Sequence, residues 1–140
     1  MSTKIKLAYF GSNNFSNYVL QKLISDSDIE LKYIVTKKDK KQGKGYQIST
    51  NSLVKTAQKH KIPVFQVSSL LKDPTQLNDL DFSNIDLAVV VSFAFILPYD
   101  ILRQVPKGFI NLHPSMLPKY RGPSPIHQAV INGDSKLGIS

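Results

Sequence analysis

Residues 108–122 read Gly108-Phe-Ile-Asn111-Leu-His113-Pro114-Ser-Met-Leu-Pro118-Lys-Tyr-Arg121-Gly122, and the reading of the whole chain starts from them. Phe109 to Leu112 is a short apolar strand, and Pro114, which lacks an amide hydrogen, stops it. Asn111 and His113 are two residues apart, so in an extended chain their side chains leave the same face. An amide and an imidazole then converge at the carboxyl end of a strand, where open α/β sheets place their ligands. Asn can donate to a developing oxyanion, and His can move a proton near neutral pH. A strand-end Asn and His that only cap the following loop satisfy the same spacing, so spacing alone leaves both readings open.

Working outward, Ile85 to Ser92 is a continuous apolar run that suits a parallel strand covered on both faces. Phe93-Ala94-Phe95-Ile96-Leu97 follows directly. Apolar residues in a loop at that end of a strand suggest a pocket lining, and side chains plugging the helix–sheet layer are the competing reading. At the amino end, Lys4 to Phe10 is a strand ending in Gly11-Ser12-Asn13-Asn14, and Phe15 to Ser25 keeps helical spacing. Ser12 or either Asn can cap that helix. Leu31 to Thr36 is the next strand and completes a right-handed βαβ unit. A single glycine at the first turn is not a G-x-G-x-x-G fingerprint, which argues against a nicotinamide or flavin enzyme.

Further elements are a helix over Asn51–Lys61, a short edge strand over Ile62–Phe65 and a short helix opened by Pro74. Another short helix covers Asp100–Arg103. Ser124 is expected to cap a helix with Pro125 at its first position, His127 lying on that helix's surface, and Leu137–Ser140 to begin another strand. The fold class is α/β: a Rossmann-like, mostly parallel sheet with helices on both faces.

Composition narrows the function. No cysteine is present, which excludes disulfides, thiolate zinc sites and a Cys nucleophile. Three histidines without metal-ligand spacing point to no metal. No apolar run approaches a membrane span, and Met1-Ser2-Thr3-Lys4 passes straight into a strand, so no targeting peptide is expected. A formal net charge of +8 favours an anionic partner, nucleic acid ahead of membrane. The charge concentrates in Lys37-Lys38-Asp39-Lys40-Lys41-Gln42-Gly43-Lys44-Gly45-Tyr46, which reads as a mobile cationic loop. A solvated surface loop is its default reading.

Asn111-Leu-His113-Pro-Ser115-Met-Leu117-Pro118, with Arg121-Gly122 and Pro125-Ile126 after it, resembles the signature of the 10-formyltetrahydrofolate-dependent formyltransferases, Met116 standing where that pattern has Leu. The likeness runs from Gly11-Ser12-x-x-Phe15 to the last residues. It extends to residues 39–45, since the tRNA-directed members carry a basic, Gly-containing insertion there. Asp39, Lys40, Gly43, Lys44 and Gly45 match its core. Lys44 replaces an Arg, keeping the charge but losing the planar fork. The resemblance implies transfer of a formyl group from 10-formyltetrahydrofolate to the amino group of initiator methionyl-tRNA, without a metal and as a monomer. It implies Asn111 and His113 as catalytic residues. It places folate against Phe93, Ala94, Phe95, Ile96, Leu97, Ser115, Leu117 and Pro118. The tRNA substrate would meet Gly11, Phe15, Lys40, Lys41, Gly43, Lys44, Gly45 and Arg121.

The family pattern continues with an Asp beyond Ser140 and a C-terminal β-barrel, so residues 1–140 are expected to be an incomplete catalytic domain without that barrel. A bacterial-type protein would be cytoplasmic, and a eukaryotic one would sit in the mitochondrial matrix. Two other readings stay open: a formyltransferase acting on glycinamide ribonucleotide or an amino sugar, and a non-catalytic RNA- or nucleotide-binding Rossmann module. The basic run weighs against the first, and the Asn111/His113 pairing against the second.

Overall fold

A computed structural model describes residues 3–39, 41–42, 47–48 and 51–140. The chain divides into two compact units, Met1–Ile110 and Asn111–Ser140.

The first unit is built on β1 (Ile5–Gly11), which pairs in parallel with β2 (Ile29–Lys37) on one side and β6 (Leu87–Val91) on the other. The edge strand β5 (Val64–Val67) pairs in parallel with β2. With β7 (Phe109–Leu112) the order is β5-β2-β1-β6-β7. A second, two-stranded antiparallel ladder joins β3 (Lys41–Gln42) to β4 (Gln47–Ile48).

Between β1 and β2 runs α1 (Asn14–Ile24), and its start is set by a capping box. The Asn13 side chain accepts from the Ser16 amide at 2.9 Å, and the Ser16 hydroxyl accepts from the Asn13 amide at 3.0 Å. Gly11 is required by packing. A Cβ there would meet the Ser16 Cβ and Oγ at 2.7 Å, so any side chain would push α1 off the strand. α2 (Ser52–Lys59) lies against α1, with Thr56 Oγ1 donating to Asn17 Oδ1 at 2.7 Å and Ser52 to Asn14 at 3.0 Å.

Alternation along β1 separates the two faces of the sheet. Tyr9 turns toward α1, where its hydroxyl donates to the Ser16 carbonyl at 2.6 Å and burial pushes its phenol pKa up. Ala8 and Phe10 turn the other way, into a cluster with Tyr33, Val35, Val67, Leu77, Phe82 and Ile101. Phe10 is fully buried, with Phe93 and Phe109 each 5.5 Å from it by ring centroid. Helices lie on both faces, as expected: the second face carries the one-turn helix α3 (Tyr99–Leu102) together with the largely irregular segment 68–85 and its 3₁₀ turn over Pro74–Leu77.

The second unit carries α4 (Pro125–Ile131). Ser124 occupies its cap position but does not cap it. Its backbone is left-handed (φ 62°), whereas a capping side chain reaches the first-turn amides from an extended backbone, and Ser124 makes no such bond. Leu137–Ser140 does not form the expected strand either. One residue there pairs: the Ser140 and His113 backbones exchange hydrogen bonds of 2.9 and 2.7 Å. A single such pair is not a ladder.

Candidate active site

Two sets of predicted site residues fall in the two units. In the first, Gly11 and Ser12 end β1, and the 93–97 loop ends β6. Ser12 does not cap α1. Its buried hydroxyl accepts from the Ala94 amide at 2.9 Å and ties the two strand-end turns together. The turn itself begins with Ser92 in the left-handed region (φ 48°). Phe93, Phe95 and Leu97 pack on the core cluster, as the helix–sheet-plug reading has it. Ala94 and Ile96 face outward, Ile96 with 93% of its surface exposed. Phe15 is exposed on the first turn of α1.

The cationic run was expected to be a loop throughout, yet Lys37 closes β2 and Lys41 lies in β3. Lys40, Gly43, Lys44 and Gly45 lie outside the described residues. What brackets the run is Asn51, the cap of α2. Its amide donates to Asp39 Oδ1 at 2.9 Å, its side-chain nitrogen donates to Thr36 Oγ1 at 2.7 Å, and its side-chain oxygen accepts from the Leu53 amide at 2.9 Å. Residues 39 and 51 are thereby held side by side, and the insertion has a fixed base.

In the second unit, Asn111 is exposed, and its side chain makes no hydrogen bond to another described residue. Its amide group is therefore available to a ligand. His113, half-buried, is held from several sides. Its backbone takes the Ser140 pair, its carbonyl also accepts from the Ser115 amide at 2.9 Å, and its Nε2 lies 2.8 Å from the Tyr120 carbonyl oxygen. A carbonyl can only accept, so Nε2 carries the hydrogen, and in neutral imidazole Nδ1 is left as the acceptor.

Ser115 is buried and turned into its own loop, donating to the Lys119 carbonyl at 2.7 Å. Leu117 and Pro118, joined by a cis peptide, are exposed, as is Arg121. Sequence reading missed Asp134. Its carboxylate accepts from Lys119 Nζ at 2.9 Å and from the Tyr120 hydroxyl at 2.8 Å. These bonds, with Lys119 the stronger cause, hold its pKa below the ordinary carboxylate value. Among the described residues, no group of His, Asp and Glu is placed to hold a metal ion, and no helix is long and apolar enough to cross a membrane.

An amide and an oriented imidazole two residues apart, followed by a tightly bonded loop, are equipment for stabilising an oxyanion and handling a proton. The family model described as formyl transferase matches residues 4–140, and the chain belongs to that family. A methionyl-tRNA formyltransferase from Buchnera aphidicola is 40% identical over 136 residues, covering 97% of this chain and 42% of that protein. Proteins of the same name from Alkaliphilus oremlandii (40%, covering 97% and 43%) and Synechococcus elongatus (36%, covering 96% and 41%) are also similar. The chain thus spans about two fifths of the length of these curated relatives.

Among solved structures, glycinamide ribonucleotide transformylase 1 from Geobacillus kaustophilus superposes with a TM-score of 0.72. It is 22% identical, with 97% of this chain and 72% of that one covered. A formyltetrahydrofolate deformylase from Pseudomonas syringae pv. tomato gives 0.70 at 20% identity, with 99% and 45% covered. At those identities the likeness shows the fold.

Proposed function

We propose that this chain forms the core of an enzyme that moves a formyl group from 10-formyltetrahydrofolate to the amino group of initiator methionyl-tRNA. The observation that carries the reading is the pairing of an unengaged Asn111 amide with a His113 whose Nε2 is already committed to Tyr120, in a chain 40% identical to proteins named for that reaction. Asn111 donates to the oxygen of the formyl carbon as the amine adds to it, and His113 accepts the amine proton at Nδ1; the bond from the formyl carbon to N10 then breaks, that proton passes to N10, and tetrahydrofolate leaves. In the first unit the exposed Ala94 and Ile96 supply apolar and backbone surface for the folate ring. Arg121 and Lys40, Lys41 and Lys44 supply charge for the RNA backbone.

The test uses the complete protein that contains these residues. With Lys40, Lys41 and Lys44 all changed to Ala, methionyl-tRNA binding is expected to weaken and its salt dependence to flatten, while folate binding stays as it was. An unaltered salt slope removes the basic segment from the interface. Formyl transfer to glycinamide ribonucleotide, with none to methionyl-tRNA, overturns the assigned substrate.

A further inference from the structure

The second unit contains a set of polar contacts that neither the oxyanion nor the proton step uses, and they converge on the one backbone oxygen that touches the His113 ring. Tyr120 has a left-handed backbone (φ 57°), a conformation that a bulky residue keeps only where its surroundings impose it. A set of side-chain contacts on Tyr120 and on Lys119 before it holds it here. The Tyr120 hydroxyl donates to Asp134 Oδ2 at 2.8 Å and accepts from Asn132 Nδ2 at 3.0 Å. Lys119 Nζ reaches both oxygens of Asp134, at 3.2 and 2.9 Å, and stands 5.1 Å from the centre of the Tyr120 ring. The carbonyl of Lys119, one peptide before the strained residue, is taken by the buried Ser115 hydroxyl. Asp134 is itself anchored, its amide donating to the Ala129 carbonyl at the end of α4.

We infer that Asp134 is a positioning residue for His113: by holding Lys119 and the Tyr120 ring it fixes the Tyr120 carbonyl, and that carbonyl keeps the imidazole hydrogen on Nε2 and the lone pair on Nδ1. The chain of contacts is short and runs in one direction. Asp134 binds the ring, the ring fixes the peptide, and the peptide oxygen selects the tautomer. A carboxylate is suited to the first link because it accepts from an ammonium and a phenol at once, which a neutral amide oxygen does more weakly. The catalytic meaning of the tautomer rests on the proposed function, whereas the tautomer itself does not.

The experiment reads the imidazole nitrogens directly, in the complete protein that contains residues 1–140, by long-range proton–nitrogen NMR at a pH where the rings are neutral. His60 and His127, both exposed, serve as unconstrained references in the same sample. In the parent chain His113 is expected to show one nitrogen fully protonated and the other fully bare, while His60 and His127 show values averaged between tautomers. In Asp134→Ala the His113 pattern should collapse toward those references. Asp134→Glu, which keeps the carboxylate, should recover at least part of the separation, and Tyr120→Phe, which keeps the ring but loses the phenol, should fall between.

A His113 pattern unchanged in Asp134→Ala, at any cost in melting temperature, overturns the inference, because a purely structural Asp134 would lower stability without moving the tautomer. Should Asp134→Ala not fold, Tyr120→Phe decides alone, and an unchanged pattern there has the same force. No formyl donor or tRNA is needed, so failure of the assigned reaction and failure of this inference are separately visible.

Discussion

The two units keep their shape by different means. Residues 1–110 hold nearly all of the buried apolar side chains, with Phe10, Ile34, Val35, Leu53 and Val91 fully enclosed. In residues 111–140 only Ser115, Pro125 and Ala129 are buried, and four residues, Tyr120, Gly122, Ser124 and Gly133, sit in left-handed backbone. Burial is non-directional and scales with area, whereas hydrogen bonds aim particular atoms. The aromatic core thus supplies stability, and the thirty-residue polar lock supplies aim at the histidine.

The sharpest way to break that contrast is Phe10→Ala. It removes a fully buried ring and two aromatic contacts, and a loss of about 3–5 kcal/mol in unfolding free energy is expected, measured by urea titration. A loss no larger than that of a surface substitution would mean the first unit is not held by its core. Asn111→Ala is the counterpart in the second unit. In the complete protein, single-turnover formyl transfer should fall by about 10²–10³-fold with the melting temperature unmoved, since this side chain is exposed and unbonded. A stability loss matching the rate loss would make Asn111 a structural residue.

Asp134→Asn gives the smallest effect. Its folded pKa lies below the ordinary value of 3.8, through Lys119 and then Tyr120. The carboxylate therefore contributes stability above that value, and the contribution disappears as pH falls through the lower, folded one. The Asn variant lacks this component, so its urea midpoint should decline less steeply with acid. Parallel acid limbs would separate the Lys119 contact from stability altogether.

What the sequence made readable follows the same division. β1, β2, β6 and β7 fall close to their predicted ranges because apolar runs are set by local chemistry, with Gly11 ending β1 and Gly108 and Pro114 bracketing β7. The Asn-x-His pair and its following Ser-x-Leu-Pro were visible as a motif. The inward turn of Phe93, Phe95 and Leu97 was not decided, because composition cannot say which face of a loop meets the core. Ser124 looked like a cap by residue type and failed by backbone angle. The Lys119–Asp134 and Tyr120–Asp134 bonds join residues 15 and 14 positions apart, on the loops either side of α4, where no periodicity reports them. Ser12 was noticed as a cap candidate, but its partner, the Ala94 amide, is 82 residues away.

The central place of β1 also has a meaning in time. Lys6 and Asp86, which bond where β1 meets β6, are 80 residues apart. At a synthesis rate of about 5–20 residues per second, that separation corresponds to roughly 4–16 s. Throughout that interval β1 can pair only with β2, and its other edge presents a row of open amides and carbonyls. The first strand made thus waits longest to be enclosed, and the nascent chain is most exposed to wrong pairing at the element on which everything later is hung.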